Sequence, residues 1–262
     1  MKWLKRYWRG ILTRYTPIMV GDEHDLPGYL VLSLTSYPPR FPTLALTLRS
    51  LLSQDMEPDR IVLWIAREHM DMLPSDVLAL QQYGLEIREC PDLGPYKKIV
   101  PALRVFPDYF ILTADDDVHY PTGWLRRFVE AYKAPREILC QRARRAVTND
   151  GRFAPYRTWK LLDEASGGDV FPTGMAGVLY PPGSLAPETT DTGQFMTLCP
   201  LADDVWLYWM AARTGCTHRV IKPVGSFTPW IGSQRVALWR SNRATGNDMQ
   251  IAALVSAYGM PS

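Results

Sequence analysis

The sequence predicts an α/β fold, a mainly parallel sheet with helices on both faces. Two observations carry this. Apolar runs of strand length alternate with helix-period segments four times between residues 28 and 132. The first, third and fourth runs also stop abruptly at a loop rich in proline or aspartate. Strand–helix–strand connections of this kind are right-handed, so the carboxyl ends of the strands converge on one crevice, where ligands sit in open α/β sheets.

The elements follow in order. Residues 16–27 are a polar lead-in. Residues 28–35 form the first strand, which stops at Ser36-Tyr37-Pro38-Pro39-Arg40. Residues 41–54 give a helix with Leu44, Leu48, Leu51 and Leu52 on one face. Arg60–Ala66 is the second strand. Residues 75–83 are a helix that Gly84 ends. Residues 85–89 are the third strand, closing at Cys90-Pro91-Asp92. Residues 96–105 read as a helix in spite of Pro101. Residues 109–113 are the fourth strand, and residues 122–132 the next helix, opened by Pro121. Past about residue 134 the rhythm breaks. Residues 138–141 are a short strand, followed by Arg142, Arg144 and Arg145. Residues 151–168 read as a loop and 170–180 as a glycine-bearing strand pair or irregular strand. Residues 203–214 are a helix stopped by Gly215, 219–224 a strand and 248–258 a last helix.

Composition sets the limits. With 47% hydrophobic and 21% charged residues, the 262-residue chain is an ordinary globular one. A formal charge of +2 is too small to make nucleic acid its main partner. Cys90, Cys140, Cys199 and Cys216 form no CxxC pair and no Cys/His zinc spacing, so reduced thiols are expected. No apolar run is long enough to span a bilayer. Residues 1–15 place Trp3, Leu4, Tyr7, Trp8, Ile11, Leu12 and Tyr15 at helical spacing, with Lys2, Lys5, Arg6, Arg9 and Arg14 mostly on the other face. Two readings stand: an interfacial helix on an anionic membrane, or a helix packed on its own domain. The expected location is cytoplasmic, with peripheral membrane contact if the first reading holds.

The chemistry is concentrated in two acidic motifs. The fourth strand ends in Asp115-Asp116-Asp117, three adjacent anions whose mutual repulsion grows on burial. Mg²⁺ or Mn²⁺ would relieve it, since such hard ions take oxygen ligands and are completed by substrate phosphates. The competing reading is a solvated acidic turn. Asp203 and Asp204 open a helix, where the dipole favours anions while their repulsion raises one pKa. Either they are a catalytic pair or Asp203 is simply an N-cap.

These two motifs, in this order and nearly ninety residues apart, resemble the inverting family 2 glycosyltransferases and related capsule-type sugar transferases. The resemblance spans roughly residues 29–258. It implies a GT-A-like nucleotide-diphospho-sugar transferase fold and a sugar transferred from a nucleotide-diphosphate donor to a glycan or glycolipid acceptor. Ala114-Asp115-Asp116-Asp117 resembles the family's Asp-x-Asp motif. In the direct register Asp115 faces the ribose or sugar and Asp115 and Asp117 hold the metal, with Asp116 between them. Counted back from Pro121, the register would instead put Ala114 where the first Asp belongs. Leu201 to Leu207 resembles the element that supplies the base, which makes Asp204 the base and Asp203 its support.

By the same resemblance Thr35, Tyr37 and Arg40 meet the base, ribose or phosphate, a plain proline-stiffened turn being the other reading, and Lys97 and Lys98 meet the diphosphate or orient the catalytic base. At least one of these two lysines is expected to be solvated, since a helix cannot turn both inward. Ala66-Arg67-Glu68 stands where an Asp usually reads uracil, and Asp92 is the candidate replacement. Gly174 and Gly177 lie on the strand that underlies the donor sugar in such enzymes. Trp206, Trp209 and Trp230 are sugar-stacking or core residues. Asn242, Arg243, Asn247 and Asp248, with Arg235 and Arg240, suggest a lid. The implied organisation is a basic segment, 1–27, then one domain, 28–262, with a nucleotide half to 134 and an acceptor half from 135. The rivals are a non-catalytic carbohydrate-binding protein of the same fold and a metal-dependent nucleotidyltransferase or phosphohydrolase. A nucleotidyltransferase would want a glycine-rich phosphate loop after the first strand, and residues 36–40 hold no glycine.

Overall fold

The computed structural model describes residues 9–14, 17–18, 20–233 and 246–261. Its alternating part runs β1 (Leu30–Thr35), α1 (Phe41–Leu52), β2 (Arg60–Ala66), α2 (Ser75–Leu78), β3 (Leu85–Cys90), α3 (Val100–Val105), β4 (Phe110–Ala114), β5 (Val118–His119) and α4 (Trp124–Ala131). The second half has β6 (Glu137–Cys140), β7 (Ala143–Arg145), β8 (Thr148–Asn149), β9 (Arg152–Phe153), β10 (Leu161–Leu162), β11 (Ala165–Gly167), β12 (Val170–Pro172) and β13 (Val178–Tyr180). Then come α5 (Thr192–Leu198), α6 (Asp203–Ala212), β14 (Thr217–Val220), β15 (Thr228–Pro229) and α7 (Asn247–Tyr258).

Eight strands form the central sheet in the order β11-β14-β6-β13-β4-β1-β2-β3. Strands β3, β2, β1 and β4 are mutually parallel, β14 is parallel to β6, and β13 runs antiparallel to both β4 and β6. Strand alternation divides the core between the two faces. Leu30, Leu32 and Leu34 of β1 join Leu63, Leu112, Leu44, Leu48 and Trp124 on one face. Val31, Val62, Trp64 and Ile111 point to the other, against Val100, Val205, Trp206 and Trp209. Helices therefore cover both faces.

Several boundaries differ from the sequence reading, for local reasons. The helix after β4 starts at Trp124 rather than residue 122, because Gly123 takes a φ of 83°. The helix expected over 96–105 is two pieces: a 3-10 turn at Gly94–Lys98, then α3, with the break at Ile99, two residues before Pro101. The loop over 151–168 contains β9, β10 and β11, and α5 was not expected. All four cysteines are buried and free. Trp206, Trp209 and Trp230 are at most 3% exposed, so all three are core residues.

Residues 9–14 are helical. They lie against their own domain: Arg9 Nη1 donates to Thr228 Oγ1 at 2.7 Å, and Arg49 Nε of α1 donates to the Thr13 carbonyl at 3.0 Å. That favours the packed reading for this stretch, while Trp3, Leu4, Tyr7, Trp8 and Tyr15 lie outside the described residues. No helix among the described residues is long and apolar enough to cross a membrane.

Candidate active site

Parallel pairing puts the ends of β1, β2 and β4 on one edge of the sheet. Because β13 runs against β4, with Val178 opposite Thr113, the turn that feeds β13 arrives at the same edge. The amino end of α6 meets it there: the Gly174 N–H donates to Asp204 Oδ1 at 2.9 Å. Together these segments line a cleft of about 740 Å³, and every residue singled out above for catalysis, nucleotide or metal lies in its wall.

Lys98 links the two acidic motifs. Its Nζ is 3.0 Å from Asp203 Oδ2 and 3.4 Å from Asp115 Oδ1. Burial works against its charge, but Asp203, Asp115 and Asp204 outweigh it and hold the ammonium well above its ordinary pKa. The backbone under Lys98 is pinned: Ser33 Oγ donates to the Lys98 carbonyl at 2.6 Å, and Trp64 Nε1 donates to Ser33 Oγ at 3.0 Å. Lys97 is inside as well, 3% exposed, with Nζ 2.5 Å from Asp92 Oδ1. The expectation that one of the two lysines is solvated therefore fails. They stand on an irregular 3-10 turn, not an α-helix, and the turn directs both into the cleft. Burial would raise the Asp92 pKa, but Lys97 and the Gly94 N–H lower it overall.

The three aspartates after β4 face different partners. Asp117 Oδ2 lies 2.5 Å from Arg40 Nη1. Arg40 is buried, and Asp116 and Asp117 raise its pKa in spite of burial. Asp116 Oδ2 accepts from Ser36 Oγ at 2.6 Å, and burial pushes its pKa up to about 7 against the pull of Arg40. The Asp115 N–H donates to Tyr120 Oη at 2.7 Å. Thr35 spends its hydroxyl on the Trp64 carbonyl at 2.7 Å, so its part in the cleft wall is positional. Tyr37 lines the same side.

Asp204 is perturbed to the same degree as Asp116. Burial and the neighbouring Asp203 raise its pKa to about 7, with Lys98 and the Gly174 N–H opposing. The glycine is a spatial requirement, since a Cβ at residue 174 would come within 2.9 Å of both Asp204 Oδ1 and Lys98 Nζ. The turn is tight: the Gly177 N–H donates to the Gly174 carbonyl at 3.2 Å, and Ala176 takes a φ of 74°. Trp124 Nε1 clamps it by donating to the Ala176 carbonyl at 2.8 Å.

The cleft also contains residues to which the sequence assigned no role. Arg142, Arg144, Tyr156 and His69 line it. The Arg-x-Arg alternation at 142–144 was the available signal, because it sets two cations on one face of a strand. From the suggested lid, Asn247 reaches the cleft wall, and Asp248 Oδ1 instead accepts from the Tyr156 N–H at 2.7 Å. Arg235, Arg240, Asn242 and Arg243 lie outside the described residues.

No protein-family model matches the sequence, and no curated protein does. Solved structures match in fold. The mannosyltransferase PcManGT from Pyrobaculum calidifontis, in complex with GDP-Man and Mn²⁺, is 16% identical over 97% of this chain and 72% of its own, with a TM-score of 0.57. The 4-diphosphocytidyl-2C-methyl-D-erythritol synthase from Anaerococcus prevotii is 15% identical over 82% of this chain and 95% of its own, with a TM-score of 0.50. Likeness at these identities is likeness of fold: the chain has a GT-A-like α/β fold, with a mostly parallel central sheet.

Proposed function

We propose that this protein is a metal-dependent glycosyltransferase that moves a sugar from a nucleotide-diphosphate donor to a glycan or glycolipid acceptor, with inversion. The reading treats residues 28–262 as one catalytic unit, with the donor between β1 and β4 and the acceptor toward β6, β7 and α6. The observation that carries it is the half-buried Asp204 carboxyl, its pKa raised to about 7, which shares one cleft with the aspartates after β4. A base poised near neutral pH can take a proton and still ionise beforehand. The Asp204 carboxylate accepts the acceptor's hydroxyl proton as that oxygen bonds the anomeric carbon. The bond from that carbon to the diphosphate breaks on the opposite face, and its electron pair leaves with the phosphate. Lys98 and Asp203 hold Asp204 in place, while Arg40, Lys97 and Lys98 supply positive charge to the phosphates. Tyr37 offers a ring to the nucleobase, and Asp92 a carboxylate.

Among the described residues no three His, Cys, Asp or Glu side chains converge as a ready-made ion cage. The donor set present is two carboxylates, Asp115 and Asp117, at the mouth of a cleft with room for phosphates. That fits Mg²⁺ or Mn²⁺, which keep few protein ligands and complete their shell from substrate. Once bound, such an ion neutralises the departing diphosphate as a Lewis acid.

Asp204→Asn tests the assignment. It should lower transfer by at least about a hundredfold and leave donor affinity within about twofold. Normal transfer by this variant would remove Asp204 as base. The fold is shared with a nucleotidyltransferase, and the product discriminates: sugar transfer releases nucleoside diphosphate, and nucleotidyl transfer releases pyrophosphate.

A further inference from the structure

Beyond Gln141 the chain turns into β7, and extended geometry sends Arg142 and Arg144 to one face and Ala143 to the other. Ala143 is fully buried in the core, while both arginines line the cleft. Each is tethered to a neutral oxygen. Arg142 Nη1 donates to Thr173 Oγ1 at 2.6 Å, and Arg144 Nη1 donates to the Trp159 carbonyl at 2.5 Å. Neither has a carboxylate within ion-pair distance among the described residues, whereas Arg145, on the opposite face, is paired with Asp169. The Arg144 Nε is buried without a hydrogen-bond partner, and the guanidinium lies 5.4 Å over the Tyr156 ring. Burial and the charge of Arg144 lower the Arg142 pKa, so the two cations repel each other in a partly dry wall. Asp204 and Asp115 act on Arg142 only at a distance.

A pair of half-buried guanidiniums without acid partners is costly unless a ligand anion completes it, and guanidinium forks match phosphate and carboxylate geometry. The donor's diphosphate does not fill this need, because Arg40, Lys97 and Lys98 stand with the aspartates after β4 and with Asp92. Arg142 instead holds Thr173, whose neighbour Gly174 donates to Asp204, so with Arg144 beside it the pair stands on the side of the proposed base, where the attacking hydroxyl must lie. We infer that the acceptor is anionic, carrying a phosphate or carboxylate close to its reactive hydroxyl, and that Arg142 and Arg144 bind that group. This rests on the glycosyltransferase reading for the word acceptor, but the anion subsite itself does not.

The test measures binding to the protein, by calorimetry, of glucose, glucuronate, glucose 6-phosphate and inorganic phosphate, with UDP, GDP, UDP-glucose and UDP-glucuronate as controls. Glucuronate or glucose 6-phosphate should bind at least tenfold more tightly than glucose. The double variant R142Q/R144Q should lose that preference and keep its affinity for the nucleotide diphosphate, which also reports a folded protein. R142K/R144K, which keeps the charge, should retain part of the preference. Inorganic phosphate competing with the anionic sugars supports a site for the anion alone. Equal affinity for charged and neutral sugars overturns the proposal, as does a preference that survives in R142Q/R144Q. If the double variant loses nucleotide-diphosphate affinity instead, the arginines serve the donor phosphates. If it loses a preference for UDP-glucuronate over UDP-glucose, the anion belongs to the donor sugar. Either result overturns the assignment to the acceptor. Because the readout is binding, failure of sugar transfer would overturn the glycosyltransferase reading without touching this result.

Discussion

At the residue scale, Asp204 and Asp203 show how adjacent identical side chains acquire different environments. Both stand in the first turn of α6, where the helix dipole favours anions. Lys98 Nζ is 3.0 Å from Asp203 Oδ2, so Asp203 takes the cation. Asp204 takes a backbone N–H from Gly174, and desolvation together with the charge of Asp203 raises its pKa to about 7. A base of this kind works only when ionised, so kcat/KM should rise with pH through about 7. Replacing Asp203 with Asn removes the like charge and leaves Lys98 shared between Asp115 and Asp204 only, and both changes favour the Asp204 carboxylate. The rising limb in Asp203→Asn should therefore move toward acid by roughly one pH unit. A pH profile in which the limb stays in place would mean that Asp203 does not tune Asp204.

At the scale of elements, the turn before β13 matters more than any helix. It lies beside the end of β4 only because β13 is antiparallel to β4, and it brings a backbone N–H to a carboxylate on α6. A methyl at residue 174 would meet the tips of Asp204 and Lys98 at 2.9 Å, not backbone. Side-chain tips can move, so Gly174→Ala should unfold little of the protein but displace both groups. We expect a melting temperature within a few degrees of wild type and a kcat reduced roughly a hundredfold, since small misplacements of reacting groups cost that much. A variant that melts early in proportion to its lost activity would point to a packing role instead. Trp124 limits how far the turn can adjust, because its ring lies 2.7 Å from where a Cβ on Gly177 would stand.

What could be read from the sequence follows the same division. Strands β1, β2 and β4 were legible because apolar runs of strand length need no tertiary knowledge, and the acidic motifs were legible because charge is costly at a strand end. The pairing of Lys98 with Asp203 was not legible, since it joins residues from two segments that meet only through the sheet. The inward turn of both Lys97 and Lys98 was hidden by Pro95 and Pro101, which replace a helix with a 3-10 turn and a break. Arg142 and Arg144 were visible as charges. Their cleft-facing position depends on β7 sitting between β10 and β12, a small sheet that no local pattern announces.

At the scale of the whole molecule, buried titratable groups pull stability in opposite directions over one pH window. Asp204 and Asp116 have folded pKa values near 7 against 3.8 for the free side chain, so the folded state binds the extra protons. Their contribution to stability therefore falls as pH rises from about 4 to about 7. His218 works the other way. It is 2% exposed, its Nδ1 has no hydrogen-bond partner, and burial lowers its pKa from 6.5 to about 3. Between those values the unfolded chain is protonated and the folded one is not, so stability is lost as pH falls below about 6.5. With two acids against one histidine, wild-type stability should still fall as pH rises from about 4 to about 7, but less steeply than the acids alone would make it. His218→Leu removes one slope while keeping an apolar side chain against Tyr208, whose ring is stacked on the imidazole at 5.5 Å. Relative to wild type, the variant should gain on the order of 2–3 kcal/mol between about pH 7 and pH 4. Urea midpoints for both proteins at those two pH values give the difference. If the two midpoints move together, His218 is solvated or paired in solution, and the acid side of the profile belongs to other groups.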